Sequence, residues 1–199
     1  MAASCSSMSL IIAYKKDDVI YLASDSQATS SNFDKYNTTN PDFAKLKILD
    51  NGIIVGHTGR VSYNQQLVYS GAITLDDNGE LTRRHLVTEV IPNMLKIKKE
   101  WMDDNGGRDN SDVSSTLILA HKDKLFLVEY DLLTFTVEHM ALIGSGGDYA
   151  FASVAAIDPE APIEPQLVAA LRVATRYNVS VGGPFITVNT KDATFKTVI

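Results

Sequence analysis

The chain has 199 residues, 45% of them hydrophobic and 21% charged, and a formal net charge of -6 at pH 7. That length favours one substantial core over two. The acidic balance, with no basic cluster denser than Lys96-Ile97-Lys98-Lys99, disfavours nucleic acid as principal partner, because phosphate binding needs a concentrated positive face.

Residues 1–8 are small and polar and carry no periodicity, so they read as a leader or flexible extension ahead of a single domain at 9–199. They lack the charged start and long apolar core of a signal peptide. No apolar run in the chain approaches membrane-spanning length. One cysteine, Cys5, rules out an internal disulfide and fits a reducing compartment. The expected setting is the cytoplasm, with no membrane partner.

Ser9 to Tyr14 reads as an almost wholly apolar strand with a hydroxyl at its start, the pattern of a strand buried on both faces. Val19 to Ala23 repeats that character after Lys15-Lys16-Asp17-Asp18, a polar tetrad suited to a hairpin turn. Closing the hairpin brings Ser9 back beside Asp25. A hydroxyl next to a carboxylate is a candidate catalytic pair; the same two residues also serve as a polar strand leader and a strand-end cap.

Ser30 to Asn40 has the composition of a surface loop. Lys45 to Leu49 and Ile53 to Gly56 flank Asp50-Asn51-Gly52, where Asn-Gly supplies the positive dihedrals of a tight hairpin turn. Gly56-His57-Thr58-Gly59 then leads into a helical pattern over Val61 to Ile73. Such a junction leaves backbone amides unpaired at the helix start, an anion pocket or simply a turn.

A second helix is expected from Leu81 to Trp101, with a kink or early break at Pro92. Asp103 to Asp112 reads as a loop. Strands follow at Thr116 to Ala120, Leu125 to Tyr130 and Phe135 to Met140. Gly144-Ser145-Gly146-Gly147 opens a small-residue helix, Tyr149 to Ile157, and a further helix runs from Gln166 to Tyr177 after the break at Pro159 to Pro165. Phe185 to Val188 and Thr194 to Val198 close the chain as strands. Two helices between strand blocks, twice, predict an α+β fold: a four-layer αββα sandwich of two antiparallel sheets flanked by helices. The histidines His57, His85, His121 and His139 lack ligand-like spacing, so no metal site is expected.

Three motifs, in order and at matching distances, carry a resemblance that spans most of residues 9–199. Ser9-Leu10-Ile11-Ile12-Ala13 with Ala23-Ser24-Asp25-Ser26-Gln27-Ala28-Thr29 resembles the opening hairpin of the proteasome β-subunit and HslV branch of the N-terminal nucleophile (Ntn) hydrolases. Lys45-Leu46-Lys47-Ile48-Leu49 followed by Gly56-His57-Thr58-Gly59 resembles that family's lysine strand and glycine turn. Ile143-Gly144-Ser145-Gly146-Gly147-Asp148-Tyr149-Ala150 is similar to its third signature, most closely as HslV carries it.

The resemblance implies the Ntn-hydrolase fold, a ring-forming subunit, and hydrolysis of peptide or unfolded-protein substrates by a free N-terminal residue, without metal or cofactor. It matches Ser9 to the nucleophile, Asp25 to the buried carboxylate, Lys45 to the lysine beside the nucleophile, Gly59 to the oxyanion-hole amide and Ser145 to the serine supporting the amine. Thr29, His57 and Val61 match positions bordering the pocket for the residue before the cleaved bond. There His57 makes the pocket larger and more polar, or merely caps the turn. An ATP-driven unfoldase is an implied docking partner. The chain departs from the family in three places: serine stands for threonine, Met8 for the usual preceding glycine, and Asn178 for an acidic residue before Gly182-Gly183. A catalytically silent ring subunit and a small-molecule amidase of the same fold are the competing expectations.

Overall fold

The computed structural model describes residues 9–29, 35–37, 44–104 and 115–199, with residues 29 and 35–37 given by their backbone alone. The expected leader at 1–8 and the remaining loop positions 30–34, 38–40 and 105–112 lie outside the described residues.

The opening hairpin forms as its apolar pattern predicts. β1 (Ile11–Lys16) and β2 (Val19–Ser24) pair antiparallel, with Lys16 opposite Val19. The turn is confined to Asp17-Asp18, and Asp17 takes φ 52°, a left-handed conformation that aspartate tolerates because its short side chain can bond locally. This tight turn moves the register from the one expected: Leu10, rather than Ser9, lies level with Asp25, whose N–H donates to the Leu10 carbonyl at 3.1 Å.

Within the predicted Ser30–Asn40 loop the chain forms a short strand, β4 (Lys35–Asn37), paired with β3 (Gln27–Thr29). The Asn-Gly hairpin joins β5 (Leu46–Ile48) to β6 (Ile54–Gly59). Then come β7 (Ser115–His121), β8 (Lys124–Val128) and β9 (Thr134–Thr136), completing a sheet of order β5-β6-β7-β8-β9. The expected single strand Phe135–Met140 is two. After β9 the chain leaves this sheet and enters the other one as β10 (Met140–Ile143), pairing with β1. The connecting Val137-Glu138-His139 holds no glycine or proline, so turn chemistry does not reveal the crossing. β11 (Phe185–Asn189) and β12 (Lys196–Val198) complete the first sheet, ordered β10-β1-β2-β11-β12.

Helix α1 (Val61–Tyr69) stops short of the expected Ile73 because Ser70 Oγ donates to the Leu67 carbonyl at 2.6 Å and Gly71 turns left-handed. α2 (Arg83–His85), a π-helical turn at Leu86–Val90 and α3 (Ile91–Asp104) run on without a break. The disturbance expected from Pro92 takes the form of that π turn, in which the Ile91 N–H reaches back to the Leu86 carbonyl. Asp103 and Asp104, expected in a loop, are the last turn of α3. α4 (Gly147–Ala155) is followed by α5 (Ile163–Tyr177). α5 starts ahead of Gln166 because Pro165 sits in its first turn, where its missing N–H would have no intrahelical partner.

Three apolar clusters fill the spaces between four layers. Leu67, Leu86, Val90 and Met94 of the first helical layer pack with Val55, Leu117 and Leu119 of one sheet. Ile11, Ala13, Ile20 and Leu22 meet Leu46, Ile54 and Ile118 between the sheets. Leu10, Ile12 and Ala23 meet Val154, Leu167 and Leu171 of α4 and α5. Successive β1 residues therefore enter different clusters, which is why that segment is apolar throughout. Each buried leucine, isoleucine or valine among them, removed from water, contributes about 1.5–3 kcal/mol. Among the described residues no helix is long and apolar enough to cross a membrane.

Candidate active site

The start of β1, the stretch after β2, the residue before β5 and the end of β6 converge on a cavity of about 40 Å³. Ser9, Ala28, Lys45, His57, Thr58, Gly59 and Val61 line it. Five residues singled out from the sequence (Ser9, Lys45, His57, Gly59 and Val61) thus meet in one place. The side chain of Thr29 lies outside the described residues; only its place at the end of β3 is fixed.

Asp25 is fully buried behind the cavity. One carboxylate oxygen accepts the Leu10 N–H at 2.9 Å and the Lys45 ammonium at 2.6 Å. The other accepts the N–H groups of Gln27 and Gly182, each at 3.2 Å. Lys45 Nζ also donates to the Gln27 carbonyl at 2.6 Å. The lysine head is therefore gripped from two sides, as a buried cation requires. Burial lowers the Lys45 pKa, against the pull of the Asp25 charge and hydrogen bond, and raises that of Asp25 against the same partner and the backbone N–H bonds.

His57 is buried too. Desolvation, reinforced by the Lys45 charge, lowers its pKa to about 4, so the ring is neutral at pH 7. Its N–H in the main chain donates to the Lys45 carbonyl at 3.0 Å, tying the lysine's backbone to β6.

Ser9 is held from the far side by the glycine turn after β10. The Gly146 N–H donates to the Ser9 carbonyl at 3.2 Å. Gly144, at φ 97°, packs so closely that a Cβ there would lie 2.2 Å from the Ser9 carbonyl oxygen. Ser145, between them, is bound by Asn178, whose Nδ2 donates to the Ser145 carbonyl at 2.8 Å and to Oγ at 3.2 Å. Asn178 Oδ1 in turn accepts the Ser180 N–H at 2.9 Å. A neutral amide here performs bonding that needs both a donor and an acceptor, which a carboxylate alone does not offer. Ser145 is next to Ser9 along the glycine turn but is not among the residues lining the cavity.

Sequence reading missed Gly144, Gly146 and Gly182 as site residues. Their signal was present in the glycine pairs, but what they supply is backbone proximity, which composition alone does not locate. The described residues hold no cluster of His, Cys, Asp or Glu suited to a metal ion.

A comparison with protein-family models finds no match. The ATP-dependent protease subunit HslV of Caldicellulosiruptor saccharolyticus is 26% identical over 181 residues, covering 86% of this chain and 95% of that protein. Its counterpart from Wolinella succinogenes is 28% identical over 163 residues, covering 79% and 84%. Eukaryotic HslV from Trypanosoma brucei superposes with TM-score 0.64 at 20% identity, over 90% of this chain and 98% of that one. Anbu (ancestral beta-subunit) from Yersinia bercovieri superposes with TM-score 0.69 at 15% identity, over 95% and 86%. The fold is the four-layer αββα sandwich of the Ntn hydrolases.

Proposed function

We propose that residues 9–199 form a single HslV-like, proteasome-like peptidase domain that hydrolyses peptide bonds with Ser9 as N-terminal nucleophile, inside an oligomeric ring. One observation carries the reading: Ser9, the paired Lys45 and Gly59 line the same cavity. Similarity to proteins named as protease subunits supports it.

A serine hydroxyl is a weak nucleophile at neutral pH and needs an adjacent base. The freed α-amine of Ser9 is that base, with an ordinary pKa of about 7.7–8.0 that the neighbouring Lys45 ammonium pushes lower. The amine takes the Oγ proton as Oγ bonds to the substrate carbonyl carbon. The Gly59 N–H stabilises the resulting oxyanion, a contribution of roughly 3–4 kcal/mol for a well-aimed donor. The tetrahedral adduct collapses as the leaving amine accepts the proton, and water then hydrolyses the ester and restores Ser9. Asp25 keeps Lys45 charged and aimed, and Ser145 supports the α-amine. Thr29, His57 and Val61 border the pocket for the side chain preceding the cleaved bond, where a neutral His57 favours uncharged polar or apolar groups. An ATP-driven unfoldase is the proposed docking partner, since the relatives are named as ATP-dependent.

The chemistry demands a free amine, so residues 1–8 hold the full-length chain inactive. Translation starting at Met8, followed by methionine removal before the small Ser9, exposes the nucleophile directly. A protein begun at Met8-Ser9 should hydrolyse peptides and react with a peptide epoxyketone, which needs both hydroxyl and amine; the uncleaved 199-residue chain should do neither. Equal reactivity, with residues 1–8 shown intact by mass, overturns Ser9 as N-terminal nucleophile. Inertness of both forms favours the silent structural subunit instead.

A further inference from the structure

The oxyanion donor assigned above is a backbone N–H on a glycine, and glycine is the residue least able to hold a peptide plane by itself. Gly59 adopts φ 106° at the end of β6. The His57 N–H bonds across to Lys45, so the polar groups of His57 face β5. Successive residues of an antiparallel strand present those groups to opposite sides. Thr58 therefore turns its carbonyl toward β7, and Gly59 turns its N–H back toward the β5 side. β5 begins only at Leu46, opposite Gly56, so at Gly59 the chain has already passed that strand's start.

The Thr58 carbonyl is clamped. Asn64, on α1, donates to it from Nδ2 at 3.2 Å, and Ser115 Oγ, on β7, lies 2.9 Å from it. Ser115 Oγ also meets Asn64 Oδ1 in a short contact, and its single hydrogen serves one of these two acceptors. Ser115 thus holds the Thr58 carbonyl either directly or through Asn64, whose Nδ2 bonds it in both cases. Asn64, Ser115 and Thr58 are 1%, 8% and 3% exposed, so water does not replace these bonds. In a planar trans peptide the C=O and the following N–H point in opposite directions. Fixing the Thr58 carbonyl toward β7 therefore fixes the Gly59 N–H toward the cavity.

We infer that Asn64 and Ser115 are positioning residues that aim the Gly59 N–H at the substrate oxyanion through the Thr58 carbonyl. This rests on the reading of Gly59 as oxyanion donor and adds two buried side chains to the machinery of that reaction. The effect belongs to the transition state, because the ground-state carbonyl needs the donor less than the oxyanion does.

The test uses the protein begun at Met8-Ser9, and two covalent probes carrying one peptide. A peptide aldehyde forms a hemiacetal whose oxygen occupies the oxyanion position. A peptide vinyl sulfone is attacked at its β-carbon, with the hydroxyl proton passing to the α-carbon, and forms no carbonyl oxyanion. Ser115→Ala and Asn64→Ala should lower kcat about tenfold, a fraction of the roughly 100- to 1,000-fold cost of losing a donor outright. KM should stay within about twofold. Aldehyde inhibition should weaken in parallel with kcat, the vinyl sulfone labelling rate should hold, and Ser115→Thr, which restores the hydroxyl, should recover kcat. A matching fall in vinyl sulfone labelling would mean general damage to the site and overturns the inference, as does an unchanged kcat in both alanine variants. An unsubstituted protein that neither turns over peptide nor labels with the vinyl sulfone overturns the peptidase reading itself, a result distinct from an active parent with indifferent variants.

Discussion

Asp25 and Lys45 form one buried unit, but they do not depend on each other equally. Asp25 keeps the N–H groups of Leu10, Gln27 and Gly182 if Lys45 is removed. Lys45, deprived of the Asp25 charge, keeps the Gln27 carbonyl, which carries no charge to balance the ammonium. Lys45→Ala should therefore abolish peptide hydrolysis while the fold survives, whereas Asp25→Asn should lose activity and also stability, by an amount approaching the about 3–5 kcal/mol of a broken buried pair. Urea unfolding beside a turnover assay separates the two, and near-normal turnover in Lys45→Ala would remove the proposed site. The residue types of this unit were legible because their motifs resemble those of a known family. Their geometry was only partly so: the hairpin register sets Leu10, one position on from Ser9, level with Asp25.

At the scale of elements, hydrophobic period located most strands and helices, and it failed where two elements share one pattern or where a proline is absorbed. β9 and β10 read as one strand because Val137-Glu138-His139, which joins them, carries no glycine or proline to mark the crossing between sheets. Pro165 reads as a breaker but is harmless in the first turn of α5. The crossing matters, because β10 delivers the glycine turn to Ser9. Gly144→Ala would put a Cβ 2.2 Å from the Ser9 carbonyl oxygen and 2.7 Å from its carbon, at a φ of 97° that alanine rarely adopts. Backbone strain alone costs about 1–3 kcal/mol, and the clash adds to it, so Tm should fall and Ser9 should shift away from the cavity with loss of turnover. Gly147→Ala is the control, since a Cβ there meets only Leu142 at 3.7 Å, an ordinary contact. Equal tolerance of both substitutions would show that the turn does not hold Ser9.

For the whole molecule, the sequence order of strand blocks and helix pairs already implied four layers, because helices flanked by sheet-forming segments have few ways to bury both faces of each sheet. What order does not disclose is which surfaces remain apolar once the layers have closed. Tyr149 and Tyr177 stack at 6.1 Å across α4 and α5 while remaining 46% and 67% exposed. Phe151 on α4 and Val179 just beyond α5 are 54% and 67% exposed. Aromatic rings left in water at this density suit a surface that another subunit covers, in keeping with the proposed ring. Enclosure in the proposed ring restricts the cavity to peptides and unfolded chains. Sedimentation velocity at micromolar concentration should therefore find an assembly many times the 21.7 kDa of one chain. Charging the patch, as Tyr177→Asp with Phe151→Asp, should shift the population toward smaller species and lower peptide turnover, while the monomer's thermal unfolding stays within a few degrees because neither side chain is in a core cluster. A parent protein that sediments only as monomer would count against the ring and, with it, against a peptidase that works inside one. Assemblies unchanged by the double substitution would leave the ring standing and move its contacts to another face.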